Sequence, residues 1–479
     1  MSAMASEKTE PLYYLDATEL ARLIRMRVLS PVEVVGAHLD RIAAVNPKIN
    51  AVVTLLAGDA LKAATAAEAA VRNGAELGAF HGVPFTIKDA IDCAGIPTRA
   101  GSKLMANNVA GKDATVVTRL KRAGAIPIAK TNVPEFSGWW ETDNLVTGLT
   151  KNPWNLERTP GGSSGVEAAA IAAGMSPLGL GSDVGISVRG PAALTGIVGL
   201  KATHGRIPYT GHFPRYLSRY WHIGPMARSV RDIATAFALL DGPDGVDPYA
   251  VHAKSAEPAD GPVPGTPIRV GWMAESGFGI VDREIVAGVE AVAALLKNLG
   301  CIVEPVRLPV LEQNNFAATA ITLFRGEMLA DFRALVAGRE ADLHAIGLQY
   351  AAAPDPSLAE YTAAQRLVEE LKSSFAGYFR HHDVLLCPVL PLTAPPPNQK
   401  HYVVNGEKLP TFHMMRATAP FNLNGLPALA VPFCFSSERL PINVQLVAKW
   451  FDEATILRLG LLVESANQTC GRRPILEGS

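Results

Sequence analysis

Cysteine is scarce in this chain and unpatterned. The 479 residues hold five, at positions 93, 301, 387, 434 and 470. None forms a Cys-x-x-Cys pair, so neither a zinc site nor a disulfide framework is indicated, and reduced thiols are expected. There is no His-x-Glu or His-Glu-x-x-His string to suggest a zinc hydrolase, and no metal or organic cofactor is implied. Excess charge is also missing. With 44 basic and 45 acidic residues the net charge is −1, which leaves no footprint for nucleic acid and no membrane-seeking surface. Short basic groups such as Lys121-Arg122 read as solvated helix faces. No apolar run reaches the roughly 18 residues of a membrane span, and the first residues lack an apolar signal core. A soluble, cytoplasmic protein acting alone or as a homodimer is the expectation.

Apolar residues, in contrast, make up 48% of the chain, enough for a large core. The 42 glycines and 35 prolines fit many tight turns between short elements. Asp16 is placed to cap a first helix with Leu20, Leu23 and Ile24 on one face. Ser30-Pro31 opens a second, with Val32, Val35 and Leu39 as its stripe. Residues 58–73 are Ala-rich and helix-forming. Residues 82–88 then read as a short apolar strand ending on Lys88. Helix and strand patterns alternate from there: helix at 113–123, strand at 125–130, helix at 165–174, strand at 176–181. This alternation predicts an α/β fold, a parallel or mixed sheet covered on both faces. Residues 209–223 are aromatic and aperiodic and read as a long surface loop. Residues 253–267 read as an exposed connector. A helix at 283–298, a strand at 301–307 and a largely helical stretch at 311–376 follow. Residues 392–400 form a Pro-rich turn. Strands at 427–434 and 441–447 and a helix at 452–466 close the chain.

The most unusual segment is 160–206, where two Gly/Ser clusters flank one short helix and one short strand. Small residues let backbone amides approach a ligand closely, as an oxyanion hole or anion nest requires. The phosphate-loop string G-x-x-x-x-G-K-[ST] is absent, and so is G-x-S-x-G around Ser187. On composition alone, a pair of turns without chemistry is an equal reading.

The order of longer motifs separates these readings. GGSSG at 161–165, EAAAIAAG at 167–174, GSD at 181–183 and GLKATHGR at 199–206 resemble the amidase signature. Upstream, GVPFTIKDAIDCAGIPTRAGS at 82–102 resembles that family's lysine motif. AKTNVPEF, KNPWN, GPMARSVRD, FNLNGLPALAVP and the Gln445 segment fit as well, so the resemblance spans about residues 15 to 465. It implies one amidase signature domain over 1–479: a large mixed sheet between helical layers. Its parts would be a helical N-terminal region at about 15–75, a catalytic core at about 76–210, a variable substrate-loop and helical region at about 209–400, and a completing part at about 401–470. It also implies a triad of Lys88, Ser163 and Ser187, with Ser163 following a cis peptide and Ser187 as nucleophile. Val184, Gly185, Ile186 and Ser187 match the oxyanion segment, and Ser164, Asp183 and Arg189 match supporting positions. A serine hydroxyl needs a base, and a buried lysine can serve because burial penalises its charge. Asp183 could also act as a general acid, although a structural role fits it better. With a lysine base at hand, His81, His204, His212 and His222 are expected to be structural or to line the site.

Two positions depart from the family pattern, Val166 and Ile186, where relatives commonly carry glycine. Either these positions have ordinary dihedrals or the loop has shifted. Trp139 and Trp140, with neighbouring Gly138, and Tyr209, Phe213, Tyr216, Tyr220 and Trp221 suggest an apolar, aromatic substrate site. The variant GISVR string and the aromatic loop are similar to members that cleave aryl carbamates. The expected partner is therefore a small-molecule amide or carbamate. Two rival readings are the amidase-like subunit of a tRNA-dependent amidotransferase and a non-catalytic binding protein on this scaffold.

Overall fold

The computed structural model describes residues 10–253, 267–467 and 471–476. Most of residues 253–267 and Cys470 lie outside that range. Within it, thirteen strands form. In chain order they are β1 (Val52–Leu55), β2 (Pro84–Lys88), β3 (Ile126–Thr131), β4 (Leu178–Asp183), β5 (Val198–Lys201), β6 (His222–Ala227) and β7 (Arg269–Trp272). They continue with β8 (Ile302–Pro305), β9 (Val384–Pro388), β10 (His401–Val404), β11 (Glu407–Pro410), β12 (Ala428–Phe435) and β13 (Pro441–Ala448). Eleven of these join one sheet in the order β1-β3-β2-β4-β6-β5-β12-β13-β9-β7-β8, and β10 and β11 form a separate hairpin. The sheet is mixed. β2 runs parallel to β3 and β4, and β7 runs parallel to β8 and β9. The pairs from β4 through β6, β5, β12, β13 and on to β9 are antiparallel.

Strand alternation shows that both faces are covered. Successive side chains of a strand point to opposite faces. Leu385 and Cys387 of β9 and Ala428 and Ala430 of β12 join one apolar cluster, with the helices Arg189–Thr195, Phe316–Val336 and Leu358–Tyr378. Val384, Leu386, Leu429 and Val431 join the other, with helices Ala17–Arg25, Val230–Leu240, Arg283–Asn298 and Glu453–Ser465. Because both faces are buried, these strands read as continuous apolar runs rather than alternating ones.

The helix Pro31–Ile49 starts at Ser30 with a full capping box to Glu33. Its buried stripe is Val34, Val35, His38, Ile42, Val45 and Ile49, and Val32 and Leu39 of the expected stripe lie on its half-buried flank. The face is turned because Arg41 and His38 are drawn inward. Arg41 donates to the Ala173 carbonyl and the Tyr14 hydroxyl, and His38 Nδ1 meets the Val34 carbonyl.

The stretch 209–223 is also corrected. It is irregular as expected, but it is not a surface loop. His212, Leu217, Tyr220 and Trp221 are buried, and the segment ends by entering β6 at His222. Tyr209 stacks on Trp221, Phe213 packs on Phe136 and Tyr220 packs on Phe324. Among the described residues no helix is long and apolar enough to cross a membrane.

Candidate active site

Two parallel neighbours, β2 and β4, end side by side, with Ile87 opposite Leu180. Carboxyl ends of adjacent parallel strands are where α/β sheets open a crevice. β2 delivers Lys88 there, and β4 delivers Ser182 and Asp183. The GGSSG segment crosses above β4 before the helix Gly165–Ala172. It lies directly on the strand, since a Cβ on Gly181 would sit 2.9 Å from Ser164 Oγ. Close backbone approach therefore explains that glycine.

Lys88 is fully buried. Its Nζ lies 2.7 Å from Ser163 Oγ, 3.1 Å from Ser164 Oγ and 3.0 Å from Ser182 Oγ. Burial drives the amine down to about 7, against the pull of Asp183 and Glu167. The Gly162–Ser163 peptide is cis. Ser187 follows on the next turn, and its carbonyl accepts from Ser164 N–H at 3.2 Å, which ties the two serine strings together. Among the described residues no hydrogen bond engages the N–H groups of Val184, Gly185, Ile186 or Ser187, and all four residues line a cavity.

A buried cluster anchors that loop. Arg189 Nε and Nη2 donate to the two Asp183 oxygens at 3.0 and 3.1 Å. Asp183 Oδ2 also accepts from Val188 N–H at 3.1 Å, and Asn422 Nδ2 donates to Oδ1 at 3.0 Å. The other side of Arg189 donates to the Thr418 carbonyl and to Gln445 Oε1. Burial alone would raise the Asp183 carboxyl, but Arg189 and these donors hold it at about 2. It is therefore an ionised anchor, unsuited to general-acid work.

Neither Val166 nor Ile186 adopts positive φ. Val166 is buried in the first turn of its helix. Ile186 packs against Gly190, where a Cβ would lie 2.5 Å from its Cγ1. Ordinary dihedrals and a missing side chain at 190 accommodate both residues.

The cavity beside Ser187 is apolar. Gly138, Trp139, Trp140, Tyr216 and Trp221 line it, as the sequence suggests. Tyr209, Phe213 and Tyr220 do not. Tyr209 donates its hydroxyl proton to the Pro214 carbonyl behind the site. Phe213 packs on Phe136 with ring centroids 6.0 Å apart, and Tyr220 packs on Phe324 at 5.8 Å. An irregular loop carries no period that tells an inward ring from an outward one, so sequence does not separate these three from the rest.

The structure also brings in residues that motif reading misses. Phe324, Arg325, Met328, Phe332 and Tyr350 reach the cavity from helices without a motif, and Phe412 and Met415 from the turn after β11. Glu167 lies fully buried beneath Lys88, accepting from Thr86 and from Thr131 at 2.7 Å, and burial raises it to about 7. Ser182 bridges Lys88 to His212, whose Nε2 is 2.8 Å away. His81, His204 and His222 meet backbone carbonyls instead.

The family model described as Amidase matches residues 33–457 of this sequence. A glutamyl-tRNA(Gln) amidotransferase subunit from Moorella thermoacetica is 34% identical over 496 residues, covering 97% of this chain and 99% of that protein. An acylamidase from Rhodococcus erythropolis is 33% identical, covering 97% of this chain and 98% of its own. Among solved structures, 6-aminohexanoate cyclic dimer hydrolase superposes with a TM-score of 0.86 at 30% identity, covering 96% of this chain and 99% of that one. A bacterial aryl acylamidase superposes with a TM-score of 0.86 at 27% identity, covering 95% and 97%. Motif order, an eleven-stranded sheet and near full-length similarity agree, and the chain belongs to the amidase signature family.

Proposed function

We propose that this protein hydrolyses amide-type C–N bonds, including aryl carbamates, by a Lys88–Ser163–Ser187 relay. The observation that carries the reading is a fully buried amine 2.7 Å from Ser163 Oγ, together with Ser187 in the wall of an apolar cavity. Neutral Lys88 takes the Ser163 proton while Ser163 takes that of Ser187. Ser187 Oγ bonds to the substrate carbonyl carbon, and the carbonyl electrons move to oxygen. The amides of residues 184–187 then stabilise the oxyanion, with a donor of this kind contributing about 3–4 kcal/mol. Collapse breaks the C–N bond, and the proton returns through Ser163 to the departing amine. Water repeats the sequence on the acyl-enzyme and releases the acid. From a carbamate that product is a carbonic half-ester, which loses carbon dioxide to leave the alcohol.

Aryl preference is supported by Trp139, Phe136, Tyr216 and Phe332 in the cavity wall. A rigid aromatic lining favours flat apolar groups. The similar aryl acylamidase and acylamidase agree with this reading. The similar amidotransferase subunits favour a second one, a chain that works with partner subunits. The small-molecule reading also takes the protein as one domain acting alone or as a homodimer.

Amine release is the test, measured from an aryl carbamate, the matching anilide and a primary amide, with wild type and Ser187→Ala. Cleavage by the wild-type chain alone and none by the variant is the expected result. Activity that appears only with added partner subunits, or activity that survives in Ser187→Ala, overturns it.

A further inference from the structure

The hydroxyls around Lys88 present a proton-counting problem. A neutral amine has two N–H groups and one lone pair. To act on Ser163 it must aim the lone pair there and donate to two other acceptors. Ser164 is one such acceptor, because its own proton is directed to the Ser182 carbonyl at 3.1 Å. Its oxygen also takes the Ser182 N–H at 3.1 Å. Two neighbours remain: the Ser182 carbonyl, a long contact at 3.5 Å that already accepts the Ser164 proton, and Ser182 Oγ at 3.0 Å. Its hydroxyl could equally donate to Lys88 and occupy the lone pair.

His212 removes that choice. Its Nδ1 faces the Pro214 carbonyl at 3.4 Å and the Tyr209 oxygen at 3.1 Å. The Tyr209 proton is already given to the Pro214 carbonyl. Nδ1 thus meets only acceptors and must carry the ring proton, which leaves Nε2 as a bare lone pair. Nε2 lies 2.8 Å from Ser182 Oγ, so Ser182 donates to it. Ser182 is left only able to accept from Lys88. We propose that His212, acting through Ser182, is a positioning residue that keeps the Lys88 lone pair aimed at Ser163.

The same arrangement serves both ends of proton transfer. When Lys88 gains a proton, Ser182 and Ser164 remain acceptors, and only the Ser163 hydrogen bond reverses. Burial, and then Lys88, hold the imidazole well below its ordinary range, so it is neutral and its removal changes no charge. The charged groups that face Lys88 are Asp183 and Glu167, and neither touches His212. The ring is pinned between Trp221 and Tyr209, with centroids at 4.7 and 4.8 Å.

The inference rests on the relay proposed above, so the assay must separate the two. A fluorophosphonate probe does this without a known substrate. Ser187 Oγ bonds to phosphorus, fluoride leaves, and the serine proton passes to Lys88. The labelling rate is followed from pH 5 to 9, with the site read by peptide mass and folding checked by thermal unfolding. In His212→Leu, the Ser182 proton has only Lys88 to go to. The rate at pH 8 should fall about tenfold. The acid limb should also move about one unit lower, because the cationic amine then leaves the Ser182 proton without an acceptor. His212→Gln, whose amide oxygen can accept from Ser182, should recover most of the rate. In a Ser182→Ala background, His212→Leu should change nothing further. An unchanged rate in folded His212→Leu overturns the proposal. So does a loss with an unmoved acid limb and no recovery in the Gln variant, or a full additional loss in the Ser182→Ala background. A wild type that does not label at Ser187 overturns the relay itself.

Discussion

Replacing Lys88 with methionine tests whether the resting enzyme holds a neutral amine. The side chain is fully buried, and its ionisation drops from the ordinary 10.5 to about 7. Between these values the unfolded chain binds a proton that the folded chain refuses. Stability contributed at this position is therefore full above the unfolded value and lost as pH falls toward 7. Working the two titrations from pH 10 to pH 7 gives a loss of about 3 kcal/mol, an order-of-magnitude figure. Lys88→Met lacks this penalty. It also strands the hydroxyls of Ser163, Ser164 and Ser182, but that cost is the same at every pH. The difference between variant and wild type, compared across pH, thus isolates ionisation. For a chain of this length about 1 kcal/mol corresponds to roughly 1 °C in Tm. The variant's Tm relative to wild type should be about 3 °C higher at pH 7 than at pH 10, measured by scanning calorimetry at one scan rate. Labelling at Ser187 should be lost at both pH values. A Tm difference that stays constant between pH 7 and 10 would mean that Lys88 is charged in the folded protein, and the base assignment would fail.

Other outcomes follow from the same geometry. Arg189→Met leaves the Asp183 carboxylate buried without its partner, which should cost about 3–5 kcal/mol and slow Ser187 labelling as the 184–188 loop loosens. Adding Asp183→Asn should restore part of the stability, as urea unfolding can show. Ile186→Ala removes a nearly buried side chain packed on Gly190, with an expected cost of about 2–4 kcal/mol. It should also improve kcat/KM for substrates with bulkier groups beside the carbonyl. Trp139→Ala should raise KM about tenfold for an aryl carbamate while leaving an alkyl analogue within about twofold, since only the flat ring loses its wall. Equal effects on both substrates would remove Trp139 from aryl recognition.

Much of the scaffold was legible from local pattern. The strand ending on Lys88, the helix after GGSSG and the two long strands β12 and β13 all form where apolar runs and turn residues place them. Ser30 with Pro31 announced a helix start through chemistry that needs no distant partner, and the structure adds the capping box from Glu33. β6 and β7 were not legible. His222–Ala227 contains Gly and Pro, and Arg269–Trp272 has only four residues. Their strand state comes from neighbours in the sheet, not from propensity.

The sequence by itself determined which residue types could meet. One lysine motif and two Gly/Ser strings in a fixed order pointed to Lys88, Ser163 and Ser187. The resemblance carried that assignment, because a hydroxyl at 163 and an amine at 88 show no local sign of lying 2.7 Å apart. Tertiary structure alone decided what surrounds them. It put Ser182 against His212 across thirty residues, turned Tyr209, Phe213 and Tyr220 away from the cavity, and drew Phe324, Phe332 and Tyr350 into it. Periodicity reports which face of an element is buried, not what it is buried against. Proton direction, cavity lining and the lowered ionisation of Lys88 all depend on the partner and not on the face.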